Sequence, residues 1–208
     1  MKHEWRKLEK SYYSPGANPS AIEIPAFTFF AVEGAGNPNG EAFMEVVEIL
    51  YAAAYSARMM PKKGYTPEGY YEYTVYPLEG VWDLDEEGRK LERLDKDRLV
   101  YTLMIRQPDF VTEEIFERVK DAVAAKLGTE SAGRLLYVRE EEGFCVQCLH
   151  KGSYDSEPET FSRMESYAEA NGWKRAEKTH REIYLSDARR VTEDKLLTVL
   201  RFKASTGM

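Results

Sequence analysis

An internal repeat in the order of elements constrains the fold of this chain more than any other feature. Aromatic and β-branched residues predict a strand that ends at Gly34, and apolar residues at helical spacing predict a helix over 41–59. Gly34 precedes Phe43 by nine residues, and Gly152 precedes Phe161 by the same interval. In each case the glycine closes a strand and the phenylalanine is the first apolar residue of a helix. A matched order over both halves indicates a duplicated supersecondary unit.

The first half continues with strands on either side of a charged segment. Residues 70–76 are rich in tyrosine and predict a strand. Residues 83–98 are mostly charged and predict a solvated connector. Residues 100–106 predict a further strand, and Thr112 is placed to cap a helix that runs to Leu127.

The second half repeats this order. Residues 134–139 and 144–150 flank a short acidic turn and predict a β-hairpin. Ser156 and Glu159 have the spacing of a capping box, which predicts the start of a helix. The two remaining predicted strands cover 180–187 and 195–203.

The predicted fold class is α+β. Two β-α-β-β units are related by a pseudo-twofold, with antiparallel sheets, helices on one side and a ligand groove at the junction. Residues 1–20 are rich in turn formers and predict an extended N-terminal arm. Residues 21–205 form a single domain whose halves cover about 21–110 and 133–205, linked by a helix over about 112–127.

Charge and composition exclude several classes of function. The net charge is −7, and phosphate binding needs a basic face, so we expect no nucleic-acid partner. There is no apolar run of membrane-spanning length and no signal-peptide core at the N-terminus, so we expect a cytoplasmic protein without membrane contact. The three histidines lack metal-ligand spacing, and Cys145 and Cys148 fit strand thiols. We therefore expect no metal and no cofactor.

One strand face near the C-terminus is a candidate site. Residues 181–187 alternate charged or aromatic residues with aliphatic ones, so Glu182 and Tyr184 share the face that points away from the core. A solvated strand face would give the same pattern. The repeat assigns Glu182 a first-half counterpart, Glu72, and places it beside the junction of the two units.

Two motifs in the second half are more specific. Residues 150–154 read His-Lys-Gly-Ser-Tyr, and residues 181–187 read Arg-Glu-Ile-Tyr-Leu-Ser-Asp. With the duplicated units, they resemble the H-x-G-x-Y and E-x-Y-x-x-D motifs of the GyrI-like (gyrase-inhibitor-like) small-molecule-binding domain family, over about residues 20–204. This resemblance implies that Glu182 lies at the centre of an aromatic pocket and contacts cationic or polar drug-like ligands.

The resemblance also implies an activity. The chain shows no DNA-binding segment and is similar to free-standing members of the family. Some free-standing members hydrolyse the strained cyclopropane of DNA-alkylating natural products, and residues 77–82 (Pro-Leu-Glu-Gly-Val-Trp) look most like that branch. The expected function is therefore cyclopropanoid hydrolysis in detoxification and xenobiotic resistance.

Such a reaction needs a carboxylate that orients or deprotonates water and a proton donor for the carbonyl oxygen of the substrate. Glu182 is the candidate base, and Tyr71 and Tyr154 are the candidate donors, with Tyr184 behind them. The fourteen tyrosines exceed what a core requires and can supply aromatic walls. His150 fits a structural role better than a role at the pocket rim. The candidate ligand-binding residues are Phe43, Tyr51, Tyr55, Tyr65, Tyr73, Trp82, Met104, His150 and Tyr184.

A function from a different class fits the same features. The chain could serve as a non-catalytic multidrug-binding or sequestering module, or as an inhibitor-type protein-interaction domain. Under either hypothesis the expected ligand is a small aromatic or cationic organic molecule, and the expected state is a monomer or a weak dimer. Catalytic turnover separates the two hypotheses.

Overall fold

The computed structural model describes residues 2–206, and the chain divides into two compact units. The first contains Phe27–Tyr76 and Trp82–Glu140, together with residues 2–4. The second contains Trp5–Ala26, Pro77–Val81 and residues 141–206. In chain order the elements are α1 (Trp5–Leu8), α2 (Lys10–Tyr13), β1 (Ser20–Ile24), β2 (Phe27–Ala35), α3 (Glu41–Met59), β3 (Leu78–Leu84), β4 (Leu99–Gln107), α4 (Glu113–Leu127), α5 (Thr129–Gly133), β5 (Leu136–Glu140), β6 (Gly143–Lys151), α6 (Glu157–Ala170), β7 (Trp173–Arg175), β8 (His180–Tyr184) and β9 (Leu197–Thr206).

The first unit is centred on strand β2. It pairs antiparallel with β4 on one side and with β5 on the other. Helix α3 follows β2, and one face of it is buried because its apolar residues recur every three or four positions. Burying each large aliphatic side chain on that face stabilises the unit by about 1.5–3 kcal/mol. The fully buried residues of α3 include Val46, Ile49, Leu50, Ala53 and Ala57.

Gly34, the glycine of the first repeat, permits a close ring contact in this unit. It lies opposite Tyr101 in the β2–β4 ladder, and a Cβ atom at this position would overlap the Tyr101 ring. The ring of Tyr101 also packs against Phe43 and Trp82, at centroid distances of 5.3 and 5.0 Å. Because only glycine lacks a Cβ, Gly34 lets the Tyr101 ring lie across β2.

The second unit has the strand order β1-β6-β9-β8, with β7 pairing to the far end of β9. The pairings of β6 with β1 and β9, and of β8 with β9, are antiparallel. Helix α6 packs Met164 and Ala168 against a core that includes Leu200 and Phe202 of β9. Two free thiols, Cys145 and Cys148, are buried on β6.

The predicted repeat of a strand, a helix and further strands is confirmed. The order β2-α3-β3-β4 is matched by β6-α6-β8-β9, except that the three-residue strand β7 lies between α6 and β8. Helix α4 begins at the predicted cap, where the Thr112 side chain accepts a hydrogen bond from the Ile115 amide at 3.4 Å. Since the ladders that β2 forms with β4 and β5, and β9 with β6 and β8, are antiparallel, the α+β class with antiparallel strands is also confirmed.

The tyrosine-rich segment 70–76 was predicted as a strand, and this prediction is wrong. Only an isolated bridge between His3 and Tyr73 forms there, and the strand that follows α3 is β3. Glu72 therefore does not lie on a strand equivalent to β8, and it is not the structural counterpart of Glu182. Tyrosine favours a strand only where a partner strand is available, so tertiary context overrides the local propensity here.

The prediction of an extended arm over residues 1–20 is also wrong. Two short helices, α1 and α2, form between Trp5 and Tyr13, and Trp5 and Tyr13 are buried with ring centroids 5.1 Å apart. The turn-forming residues after Tyr13 end α2 and lead into β1. The aromatic residues Trp5 and Tyr13 therefore attach the two helices to the core of the second unit.

The predicted hairpin in the second half does not form. Strand β5 pairs with β2 in the first unit, whereas β6 pairs with β1 and β9 in the second. An acidic turn between two strand-like segments permits a hairpin, but the partner is chosen by the core face that each strand buries.

Membrane spans and metal clusters are both absent from residues 2–206. In that part of the chain no helix combines the length and hydropathy needed to cross a bilayer. The same residues contain no group of three or more His, Cys, Asp or Glu side chains arranged to hold a metal ion.

Candidate functional site

Strand β8 of the second unit carries Glu182 on a face that combines charged and aromatic side chains. It pairs antiparallel with β9, where Glu182 lies opposite Leu200. Side chains alternate along a strand, so Glu182 shares its face with His180 and Tyr184, while Arg181 points to the other face. The Glu182 residue is only 9% exposed, so the solvated strand face that the sequence left open is not what forms.

Arg181 anchors β8 from the opposite face through two buried carboxylates. Its Nη1 lies 2.8 Å from Oε2 of Glu79, and its Nε lies 2.9 Å from Oε2 of Glu142. Arg181 and Glu79 are each 2% exposed. Because buried ions are stable only when paired, this contact fixes the orientation of the strand that carries Glu182.

The same buried network extends to the N-terminal segment of the second unit. Arg201 on β9 binds Oε1 of Glu142 through Nη1 at 2.8 Å and donates from Nη2 to the Tyr12 carbonyl at 2.9 Å. Gln147 accepts from Arg201 at 3.0 Å and donates to the Ser11 carbonyl at 2.7 Å. These bonds attach the α2 segment to β6 and β9.

The two carboxylates of the network differ in electrostatics. Burial raises the pKa of Glu79 above its ordinary value, and this effect outweighs the attraction of Arg181 and Arg201. Burial also acts to raise the pKa of Glu142. Arg181 and Arg201 both bind this carboxylate, and together they lower its pKa by more than burial raises it, so the net shift is downward. Glu142 is therefore the firmly ionised centre of the network.

Glu182 contacts a histidine and a tyrosine on its own strand. His180 Nε2 lies 3.1 Å from Oε1 of Glu182, and the Tyr184 hydroxyl donates to Oε2 at 2.8 Å. Phe161 of α6 packs edge-on against the His180 ring, with the centroids 4.8 Å apart. The carboxylate is therefore oriented at both oxygens and bordered by aromatic rings.

A second carboxyl, Glu157, was missed by sequence reasoning and lies against Glu182. It is the first residue of α6, is 6% exposed and shares a side-chain hydrogen bond with Glu182. Burial raises the pKa of Glu157 to about 10, assisted by the negative charge of Glu182, by the shared hydrogen bond and by Asp155. Two like charges in contact are unfavourable, which favours the protonated form of Glu157.

Sequence signals for Glu157 are weak. An acidic residue followed by proline is common at the start of a helix, where it interacts favourably with the helix dipole, so Glu157 looks ordinary. The predicted capping box of Ser156 and Glu159 is wrong as well. Ser156 makes no cap bond, and its hydroxyl donates to the Ser153 carbonyl at 2.7 Å instead.

Tyr154 lies in the turn before α6 and contacts the same cluster. Its ring packs edge-on against Tyr184, with the centroids 6.1 Å apart. Burial, with smaller effects from Glu182, Glu157 and Asp187, raises the pKa of Tyr154 to about 12. The phenol therefore keeps its proton at neutral pH, as a hydrogen-bond donor must.

His150, in the first family-like motif, is held by local hydrogen bonds. Its Nδ1 lies 2.9 Å from Oγ1 of Thr160, and its Nε2 lies 3.0 Å from the Ser153 carbonyl and 3.2 Å from Oγ of Ser156. It is 4% exposed. These contacts tie the end of β6 to the start of α6, which is the structural role that the sequence favoured.

In the first unit, Tyr71 and Tyr73 belong to a cluster of aromatic rings. Tyr71 packs edge-on against Phe110, with centroids 5.4 Å apart, and lies 6.4 Å from Tyr73. Burial raises the pKa of Tyr73, whose hydroxyl has no hydrogen-bond partner among the described residues. A phenol in this state is suited to packing, and Tyr71 is the more accessible of the two.

Phe43, Trp82 and Met104 were predicted as pocket walls and also lie in the first unit. The Phe43 and Trp82 rings stack with centroids 6.0 Å apart. Met104 on β4 lies opposite Ala31 and is 2% exposed. Their role in ligand binding stays a prediction.

The remaining predicted residues lie along α3 and beyond it. Tyr51 and Tyr55 line a shallow groove of about 420 Å³ together with Glu48, Lys63 and Lys126. Tyr65 has the Arg118 guanidinium over its ring, 4.3 Å from the centroid. Within the second unit, Glu182, Tyr154 and Tyr184 lie in one cluster, whereas the predicted residues of the first unit lie in separate clusters.

The fold and this site define a class of protein: an α+β binding domain with duplicated units and a buried carboxylate among aromatic rings. A family model described as the GyrI-like small molecule binding domain matches residues 17–203. Because that match covers most of the chain, the protein belongs to the GyrI-like small-molecule-binding domain family.

Three solved structures from Listeria innocua are similar over nearly the whole length. One hydrolase is 35% identical with a TM-score of 0.88, covering 98% of this chain and 100% of its own. Another hydrolase is 36% identical with a TM-score of 0.90, covering 99% and 100%. An uncharacterized conserved protein is 38% identical with a TM-score of 0.89, covering 98% and 100%. A search of curated proteins finds no match.

Proposed function

We propose that this protein hydrolyses cyclopropane-containing DNA-alkylating toxins, with Glu182 as the general base. One observation carries the proposal: Glu182 is a buried carboxylate whose oxygens contact His180 and Tyr184, in a cluster with the proton-bearing phenol of Tyr154. A base next to groups that keep their protons is the combination that acid–base catalysis requires.

The reaction follows from the roles of these groups. Glu182 takes a proton from water, and the water oxygen forms a bond to the methylene carbon of the cyclopropane. The carbon–carbon bond of the ring breaks, and its electron pair moves through the conjugated system to the carbonyl oxygen. A tyrosine donates a proton to that oxygen, and solvent later carries the proton of Glu182 back to the tyrosine. The product is a ring-opened alcohol, and both residues return to their starting states.

Tyr154 and Tyr71 are the proposed proton donors. Tyr154 is supported by its position, since it packs against Tyr184, whose hydroxyl binds Glu182. The raised pKa of Tyr154 keeps the hydroxyl protonated, and a preorganised donor stabilises charge as it develops on the carbonyl oxygen. Tyr71 is proposed because it is a partly accessible phenol at the edge of an aromatic cluster. Ring strain in the substrate supplies much of the driving force.

The relatives support the reaction class. Two solved structures that are 35% and 36% identical to this chain are hydrolases from Listeria innocua. Membership of the GyrI-like small-molecule-binding domain family supports a small organic molecule as the ligand. The proposed substrate class, a flat and lipophilic alkylator, fits the aromatic rings around Glu182, because aromatic side chains provide large rigid apolar contact surfaces.

The test is turnover. A cyclopropane-bearing alkylator is incubated with a fiftieth of its molar amount of protein, and the ring-opened alcohol is quantified against a protein-free blank. We expect the alcohol to exceed the protein many-fold. The non-catalytic alternative predicts instead that free alkylator falls by one equivalent per chain and that no alcohol above the blank is formed. That outcome would refute hydrolysis.

A further inference from the structure

The second unit buries two neighbouring carboxyl side chains, Glu157 and Glu182, although the proposed hydrolysis needs only one catalytic base. Glu182 would suffice as a base, yet a second carboxyl, Glu157, lies in hydrogen-bond contact with it. Both residues are at least nine-tenths buried, with 9% and 6% of their surface exposed. Burying an additional carboxyl beside a carboxylate is costly unless one of the two carries a proton.

We propose that Glu157 is a positioning residue whose carboxyl keeps its proton and donates it in a hydrogen bond to the Glu182 carboxylate, so that the two act as a single, singly charged unit. The proposal rests on the proposed function, because the base it positions is Glu182. It assigns no bond-making step to Glu157.

The contacts of the pair show which residue carries the proton. Glu182 already accepts a hydrogen bond from Tyr184 and contacts His180, so its oxygens are acceptors in this arrangement. Glu157 Oε1 has no hydrogen-bond partner among the described residues. A carboxyl that donates through one oxygen and leaves its carbonyl oxygen bare fits this geometry, whereas an ionised carboxylate would leave a buried charge without a donor.

The surroundings reinforce this distribution of charge. Asp155 and Glu182 both add negative charge near Glu157, and burial is the largest influence on it. The high pKa that results, about 10, means that the proton is retained throughout the neutral range. The titratable groups around the two carboxyls are His180 and Tyr184 on β8, Tyr154 and Asp155 before α6, and Asp187 after β8. Two further groups contact residues next to Glu157 in the chain or on the same helix: His150 contacts Ser156, and Arg163 donates to Thr160.

The functional consequence is that hydrolysis becomes slower at alkaline pH. Below the ionisation of Glu157, its proton restrains one Glu182 oxygen and keeps the pair at one negative charge. Above that ionisation, two negative charges repel each other and the restraint is lost. The rate of hydrolysis should therefore decline as the pH rises toward 10. A carboxylate base that acted without Glu157 would stay ionised at alkaline pH and would show no such decline.

The first experiment detects the proton without using activity. Infrared difference spectra of the wild type minus Glu157→Gln, with carbon-13 labelled glutamate as the isotope control, are recorded from pH 6 to pH 10.5. We expect a carbonyl band of a protonated carboxyl that is lost in Glu157→Gln and fades in the wild type as the pH approaches 10. Glu159→Gln, which removes an exposed carboxyl from the same helical turn, should keep the band. An unchanged band in Glu157→Gln would overturn the proposal.

The second experiment follows kcat/KM for hydrolysis over the same pH range. Glutamine keeps a donor and cannot ionise, so Glu157→Gln should retain most of the activity at pH 7.5 and lose the alkaline decline. Glu157→Ala removes the donor and should lower activity about tenfold or more at every pH. An alkaline decline that is unchanged in Glu157→Gln would contradict the role. Loss of the infrared band in a protein without turnover would refute the proposed hydrolysis and leave the protonated pair standing.

Discussion

Replacing Glu182 by glutamine is expected to lower the rate of cyclopropane hydrolysis by about 10²–10⁴-fold, the usual contribution of a positioned general base. The amide cannot accept a proton from water, but it preserves size and can still accept from the Tyr184 hydroxyl, which is 2.8 Å from the carboxylate. Binding of the intact alkylator should therefore be weakened much less than turnover. The measurement is kcat and the dissociation constant, determined on the same preparation.

A matched control separates this effect from a general loss of charge. Glu169→Gln removes an exposed carboxyl from α6 in the same unit and should leave the rate unchanged. Full activity in Glu182→Gln would show that another carboxylate is the base.

The largest effect on stability is expected for Arg181→Met. This change should lower the free energy of unfolding by about 3–5 kcal/mol, the usual cost of removing one partner from a buried ion pair. Methionine fills much of the volume, but Glu79 loses its contact at 2.8 Å and Glu142 loses one of its two arginines. Urea denaturation at pH 8 measures the effect.

The pH dependence of this defect gives an internal check. Burial raises the pKa of Glu79 in the folded protein, so its contribution to stability is fully present below its unfolded pKa and is lost as the pH rises. Removing Arg181 takes away a charge that lowers this pKa, so more stability is lost between pH 5 and pH 8. The Arg181→Met defect should therefore be smaller at pH 5 than at pH 8.

Lys174→Met provides the matched control for Arg181→Met. Lys174 is an exposed cation on β7 in the same unit, and its replacement should change stability by no more than about 0.5 kcal/mol. A loss below about 1 kcal/mol for Arg181→Met at both pH values would contradict the view that the buried network fixes β8.

The order of elements could be predicted because it depends on local periodicity. Helix α3 and the cap at Thr112 follow from apolar spacing and from a side chain that accepts a nearby amide. The glycine-to-phenylalanine interval correctly marked both repeats, and for Gly34 the structure supplies a reason, the ring of Tyr101 across the strand. Glu182 was selected by motif resemblance, and its role as the base stays a prediction.

The parts that sequence reasoning missed depend on contacts distant in the chain. Arg181 and Glu79 are 102 residues apart, and an arginine on the core face of a strand pattern gives no sign of its partner. Glu157 resembles an ordinary helix-start acid until the structure brings it against Glu182. The strand predicted over 70–76 failed for a related reason, since tyrosine content alone cannot supply a strand partner.

The role of Glu182 as a base rather than a nucleophile is tested most directly by one turnover in water labelled with oxygen-18. Protein in excess over the alkylator is allowed to react once, and the alcohol and the peptide that contains Glu182 are analysed by mass spectrometry. If Glu182 deprotonates water, the first-turnover alcohol carries one labelled oxygen and the peptide carries none. Unlabelled alcohol together with label in Glu182 would show that the carboxylate itself attacks the ring, and would contradict general-base catalysis by Glu182.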